Sequence, residues 1–340
     1  MTNFCIELYN FSFFTWPKII SPIGVFLNTL TLIGIIKTGD FRSNNLFRYM
    51  LAKELCDIFY LLSDGLNDVY DVYNGAGGIL YRTSSSCLYG TEFAWWLLRS
   101  FSFMSQFFEI ASCFNRYRVI TKCWEGLDLI PFLLKMLTII FVCASYNIFF
   151  FWAFSCTKFT LPNNTLEYYQ YSYNEFGNPF VYSVLEDVTS IVRDLICSIV
   201  LIVLNVMTMI VMRRAMERKK NLAAGITSND NNSNNSSKVS RADRAQTKTT
   251  QMVVATCFLA IIGHLPRFVY FILNFSFSFN TKCINGISYM MFLASHTCTF
   301  FILLFFNRKF SAFYESIFKF LFKFSRQNKS NTNVNSIVVS

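Results

Sequence analysis

Histidine is nearly missing: His264 and His296 are the only two in 340 residues. Little acid–base or metal chemistry can be assembled from so little imidazole. No metal-ligand spacing, hydrolase triad or glycine-rich phosphate loop is found, so no chemistry on a substrate is implied and the chain reads as a non-enzyme. Glycine (13) and proline (6) are also sparse, and few fall inside apolar stretches. Transporters built on discontinuous helices draw on both residues, and no repeat of 20–50 residues is visible. Charge is the third shortage: 15% of residues are charged against 53% hydrophobic, a balance that points to lipid as the solvent. A basic segment leading into a short apolar core with a cleavage site is missing too. The first apolar block is therefore expected to act as its own insertion signal, with Met1 as the mature start.

What is present is phenylalanine, forty residues of it, gathered into apolar blocks. A membrane-spanning helix needs about 20 such residues. Seven blocks qualify, at about 19–37, 46–66, 90–116, 129–153, 189–212, 250–274 and 286–306. The second carries Lys53, Glu54 and Asp57 and is the weakest by hydropathy. The expected architecture is an all-α membrane protein, a bundle of seven transmembrane helices within 19–306. Residues 1–18 form an exterior N-terminus, 307–325 a short amphipathic helix on the membrane surface, and 326–340 a cytoplasmic tail. The Asn/Ser-rich loop at about 213–248 is expected to be disordered.

Charge placement sets the direction. The net charge of +10 does not point to nucleic acid, because the first, third and fifth connections and the tail hold about 4, 4, 9 and 6 of the 30 Lys and Arg residues. The alternate segments carry acids such as Glu7, Asp64, Glu92, Glu167 and Glu186. This asymmetry implies a multi-pass protein of the plasma membrane with its N-terminus outside and its C-terminus in the cytoplasm, in contact with membrane lipid. Four of eleven cysteines, Cys5, Cys87, Cys156 and Cys283, then fall outside, where disulfides form. Four cysteines allow three pairings. The sequons at Asn10 and Asn163 are exterior and expected to be glycosylated.

Several positions together resemble the rhodopsin-like G-protein-coupled receptors, across about 20–320. Asn115-Arg116-Tyr117, at the inner end of the third block, is similar to the family's Asp/Glu-Arg-Tyr motif. Gly24 and Asn28 keep its first-span spacing, and Asp57 in LAKELCDIFYLL matches its second-span carboxylate. Pro266 stands at the sixth-span proline, and FFILLFFNRKF resembles the end of the seventh span and the start of the eighth helix. LAKELCDIFYLL and FFNRKF have an invertebrate neuropeptide-receptor (FMRFamide-type) look.

The resemblance implies a receptor that binds an extracellular ligand, a peptide, and activates a heterotrimeric G protein as the sixth helix moves outward. Arg116 would meet the G protein, Trp124 would enter a pocket on it, and Pro266 would serve as the hinge. It favours the disulfides Cys87–Cys156 and Cys5–Cys283, although Cys87 precedes Arg116 by 29 residues, about one helical turn more than in the family. It also assigns an allosteric sodium ion to Asp57 with Ser105 and Ser295. Charged groups in hydrocarbon are costly, and Glu109 is a candidate partner for His296. Trp95, Trp96, Arg99, Arg193, Asp194, His264, Arg267, Tyr270 and Tyr289 are candidates for a shared ligand pocket suited to a peptide with charged ends. Leu98 stands where an amine receptor carries an Asp, and the seventh block has no Lys for a retinal Schiff base.

The chain also departs from the family. Asn115 replaces the acid of the resting lock, His264 a common Trp, and Thr299-Phe300 and Leu303 the seventh-span Asn-Pro and Tyr. A secondary transporter or channel with a polar path through Asp57, Glu109, Asp194 and Arg99, and an atypical seven-span chemosensory receptor, are the alternatives.

Overall fold

The computed structural model describes residues 2–74, 80–81, 87, 94–152, 154–160, 167–173, 179–226, 233–276 and 282–319. About 92% of the described residues are helical. In chain order, α1 (Thr2–Asn10) leads through a π-helical stretch (Phe11–Thr15) into α2 (Trp16–Thr38). After α3 (Asp40–Ser43) come α4 (Asn45–Asn74), α5 (Ala94–Thr121), α6 (Phe132–Tyr146) and α7 (Ile148–Trp152). Next are α8 (Pro179–Ser190), a second π-helical stretch (Ile191–Ile196), α9 (Cys197–Ile226), α10 (Ser233–Ser276), α11 (Lys282–Ser295) and α12 (Thr299–Phe306). Residues 308–319 form a last helix, α13.

Three helical stretches are long and apolar enough to cross a membrane: Phe4–Thr38, Phe180–Arg218 and Thr247–Tyr270. The pair α11 and α12, bent by 46° at its break, passes the same test as one unit. α4 and α5 have 30 and 28 residues, ample length, but their internal charges lower their hydropathy. α6 has only 15 residues, about 22 Å at 1.5 Å per residue. It continues into α7 through a turn at Asn147, whose Nδ2 donates to the Cys143 carbonyl at 2.8 Å. α6 exposes Leu133, Leu137 and Phe141, at 67%, 52% and 73%. A row of that kind marks a surface meant for an apolar neighbour.

Three features differ from the sequence expectation. Residues 1–18 are no separate tail: helix runs from Thr2 into α2, because Pro17 is accommodated in the first turn of α2. The fold also includes strands. β1 (Leu80–Tyr81), β2 (Phe154–Thr160) and β3 (Glu167–Tyr173) form an antiparallel sheet in the order β1-β3-β2, with Cys156 opposite Tyr171. In the stretch expected to be disordered, α9 and α10 reach Ile226 and begin again at Ser233, leaving 227–232 outside the described residues. The tail at 326–340 lies outside them as well.

The break between α11 and α12 occurs without proline. Ser295 Oγ and Thr297 Oγ1 donate back to the Phe292 and Ala294 carbonyls at 2.7 and 2.8 Å, competing with the helix's own ladder. The carbonyl of His296, freed by the break, accepts from Asn28 Nδ2 at 2.8 Å. Gly24 lets α2 approach closely there, since a Cβ on it would lie 2.4 Å from Thr297 Cγ2. Gly34 does the same for α13, whose Phe310 ring lies over it. The largest core cluster surrounds this corner, with Ile35, Leu46, Met50, Met252, Leu303 and Phe310 all buried. Tyr314 fastens α13 by donating to the Leu30 carbonyl. Two disulfides close the other end, Cys5–Cys283 and Cys87–Cys156.

Candidate functional site

The buried polar groups form two tiers and an inner latch. The central tier is built on α4, where residues four apart share a helix face. Lys53 Nζ donates to one Asp57 oxygen at 2.7 Å. The other oxygen accepts from Ser105 Oγ of α5 at 2.5 Å and lies 2.7 Å from His296 Nδ1. Against an ionised carboxylate, which only accepts, that nitrogen carries the proton. Lys53 also reaches Thr299 Oγ1 of α12 at 3.2 Å and Glu54 Oε1 at 3.5 Å. Asp57 and Glu54 are fully enclosed.

This geometry corrects the expected sodium site. Ser105 is on Asp57 as expected, but Ser295 turns away to the Phe292 carbonyl, and the cation beside the carboxylate is the protein's own ammonium group. The adjoining cavity, lined by Lys53, Gln106, Glu109, His264, His296 and Thr299, offers about 10 Å³, the scale of one water. A second correction concerns Glu109. It does not meet His296 but accepts from Cys257 Sγ at 3.2 Å.

The outer tier starts in the π-helical stretch Ile191–Ile196. Arg193 and Asp194 are sequence neighbours, which on a regular helix point apart. The widened turn places both inside, where the guanidinium makes two bonds to the carboxylate at 2.8 and 2.7 Å. Asp194 Oδ1 also lies 2.8 Å from His264 Nδ1 on α10. The His264 ring meets Phe292 edge-on at 4.9 Å and His296 at 5.9 Å, so it touches both tiers. Arg267, one turn further along α10, lies 4.6 Å above the Phe292 ring.

Part of the expected ligand pocket comes together in this tier. Arg193, Asp194, His264 and Arg267 converge around Phe292. Arg99 is bonded to Glu186 at 2.6 Å and stacked on Phe150 at 4.1 Å. Trp96 Nε1 donates to the Ala144 carbonyl at 3.3 Å. Tyr289 donates to Asp64 Oδ1 at 3.0 Å and stacks on Phe13 at 4.5 Å, so it joins α11 to α4 and to the N-terminal helix. Tyr270 is half-buried on α10. The Trp95 side chain lies outside the described residues.

At the opposite end, Arg116 is buried and donates twice to Thr250 Oγ1 of α10, at 2.9 and 2.7 Å. Asn115 accepts from Arg118 at 3.3 Å, and Arg118 also bonds Asp128 at 2.5 Å. Tyr117 is half-buried. Trp124, left-handed at φ 61°, is 69% exposed with its ring edge-on to Phe114. The Arg118 guanidinium holds the Asp128 carboxyl below its ordinary range. Pro266 lies inside α10, between His264 and Arg267. Leu303 is fully buried in the core, while Thr299 faces Lys53. Asn10 is exposed on α1; Asn163 lies outside the described residues.

Lys53, Thr250 and Asp64 are functional candidates that the motifs did not pick out. Lys53 left a signal, its i, i+4 spacing to Asp57 inside an apolar block. Thr250 left none. No family model matches the chain and no curated protein is significantly similar to it.

Proposed function

We propose that the chain is a divergent rhodopsin-like G-protein-coupled receptor that binds an extracellular peptide and activates a heterotrimeric G protein. In this reading the seven apolar blocks cross the membrane, the N-terminus is outside, and α13 lies along the inner leaflet as the eighth helix. The observation that carries it is the Arg116–Thr250 contact. It ties the inner end of α5 to α10, the helix with an internal proline at Pro266. Outward movement of α10 breaks both hydrogen bonds and frees the guanidinium for a partner. Neutral Thr250 takes the role that an acid beside the Arg plays in the family, and Asn115 is occupied by Arg118.

The outer tier supports a link between ligand and latch. His264 and Arg267 flank Pro266 on α10, so a ligand that bears on them acts on the same helix that Thr250 holds at its other end. Agonist outside and G protein inside would both prefer the released arrangement, and each would strengthen the other's binding.

The test is nucleotide exchange on a panel of Gα subunits, in cells expressing wild type or Arg116→Ala and treated with a neuropeptide library. Ligand-evoked exchange that disappears in Arg116→Ala is expected. The contact between His264 and His296 joins the two tiers into one buried polar column, and this favours a transporter as the second reading. Solute or ion flux that persists in Arg116→Ala, with no exchange on any Gα, would decide for it.

A further inference from the structure

Beside the α2–α4 turn, a groove of about 350 Å³ is lined by Phe41, Arg42, Arg48, Leu51, Phe132 and Met136. Its lining is of two kinds. Phe132 and Met136 of α6, with Leu51 of α4, make an apolar trough. Leu133 and Leu137, the next residues on α6, are exposed, so the apolar surface of the same helix continues beside the groove. Two guanidinium groups, of Arg42 and Arg48, line it as well.

Arg48 is fixed in place. It donates to the Phe41 carbonyl at 2.8 Å and the Arg42 carbonyl at 3.0 Å, and lies 5.4 Å from the Phe132 ring. Arg42 is exposed, over Phe41 at 5.8 Å. Among the described residues neither meets a carboxylate. The nearby acids are engaged elsewhere, Asp40 with Lys309 at 2.6 Å and Asp128 with Arg118. Two uncompensated planar cations therefore face a groove whose remaining wall is hydrocarbon.

We propose that this groove binds an anionic phospholipid, with its phosphate between Arg42 and Arg48 and an acyl chain along Leu51, Phe132 and Met136. Guanidinium groups match phosphate oxygens two at a time, and basic pockets between helices on the cytoplasmic side suit such headgroups. The inference rests on the orientation proposed above, which puts the α2–α4 turn at the cytoplasmic leaflet. There it makes a headgroup part of the wall between α4 and α6. Tyr49, one residue from Arg48, packs on Phe132 at 5.0 Å, so occupancy of the groove is felt where α4 meets α6.

The test uses the purified full-length chain in phosphatidylcholine nanodiscs containing a phosphoinositide with a diazirine on its acyl chain. Photolabelling mapped by mass spectrometry should fall on Leu51, Phe132 or Met136. One arginine near an anionic headgroup is worth about five-fold in binding, so Arg42→Gln should weaken labelling about five-fold and Arg42→Gln/Arg48→Gln about thirty-fold. Arg213→Gln/Arg214→Gln should leave it unchanged. The wild-type map needs no variant, and Arg42→Gln breaks no bond to the protein, so loss of folding cannot imitate the result. Labels spread over other helices, or labelling indifferent to Arg42, would overturn the proposal. So would displacement of the lipid by soluble inositol phosphate at equal concentration, which would make the groove a phosphate site only. Orientation is read separately, from glycosylation at Asn10 in cells. A mislabelled groove and an inverted chain are therefore distinct outcomes.

Discussion

Replacing Lys53 by Ala removes the one ammonium group 2.7 Å from Asp57. The carboxylate stays enclosed, with Ser105 and His296 as its remaining partners. Breaking one side of a buried ion pair costs about 3–5 kcal/mol, chiefly because the other charge is left behind. At about 2 °C per kcal/mol for a chain of this size, the melting temperature should fall by about 6–10 °C. Lys53→Ala/Asp57→Asn removes both charges and should recover most of that loss. Glu54 is present in both variants and cancels from the comparison, as does the lost lysine stem. Sodium sharpens the test. In Lys53→Ala the carboxylate is open to an external cation, and sodium at ten times its dissociation constant adds about 1.4 kcal/mol. The variant should therefore melt about 3 °C higher in sodium chloride than in N-methylglucamine chloride of equal ionic strength, whereas wild type should not respond. The assay is intrinsic-fluorescence melting of the purified protein in detergent. Wild type stabilised by sodium as much as the variant, or a double variant no more stable than Lys53→Ala, would refute the argument.

Thr250→Val should raise ligand-free nucleotide exchange by about ten-fold, since hydrogen bonds from a charged group contribute about 1.5–3 kcal/mol, while Thr250→Ser should not; equal basal exchange at equal surface expression would remove the latch. Gly34→Ala places a Cβ 2.3 Å from the Phe310 ring and should cost about 1–3 kcal/mol. Combined with Phe310→Ala the loss should be smaller than the sum of the two, and strict additivity in melting temperature would count against close packing of α13. Asp128 has a lowered pKa in the folded chain, so its bond to Arg118 contributes above the ordinary value of about 3.8 and is lost as pH falls through the lower folded value. Trp124 fluorescence should change over that acid range in wild type and not in Asp128→Asn; identical profiles would dissociate the ion pair from the loop.

The helices were legible because apolar blocks of about 20 residues are a local property. Four partial exceptions show what is not local. The break at 296–298 depends on Asn28, 268 residues earlier, capturing a carbonyl. β3 alternates aromatic and polar residues from Tyr169 to Tyr173, yet it sits, paired with β2, inside a chain whose composition favours helix. Lys53 was visible as a charge in the second block, and its spacing to Asp57 was legible too. Its effect on the sodium site was not, because that depends on Ser295 turning away. Thr250 is an uncharged residue whose partner lies 134 positions away, and nothing in its neighbourhood marks it.

The Cys5–Cys283 bond joins positions separated by 278 residues. Residues 5–283 are therefore a covalent ring, with α11 beyond Cys283, α12 and α13 on a branch. In the chain-entropy account a closure of that length takes about 5–6 kcal/mol of freedom from the unfolded chain. A ring also has no unique weak link. One cut at 227–232, between α9 and α10, opens the ring but leaves both halves on one covalent particle, and they part only after reduction. Survival of cleavage in that connection is therefore conferred by the opposite end of the bundle.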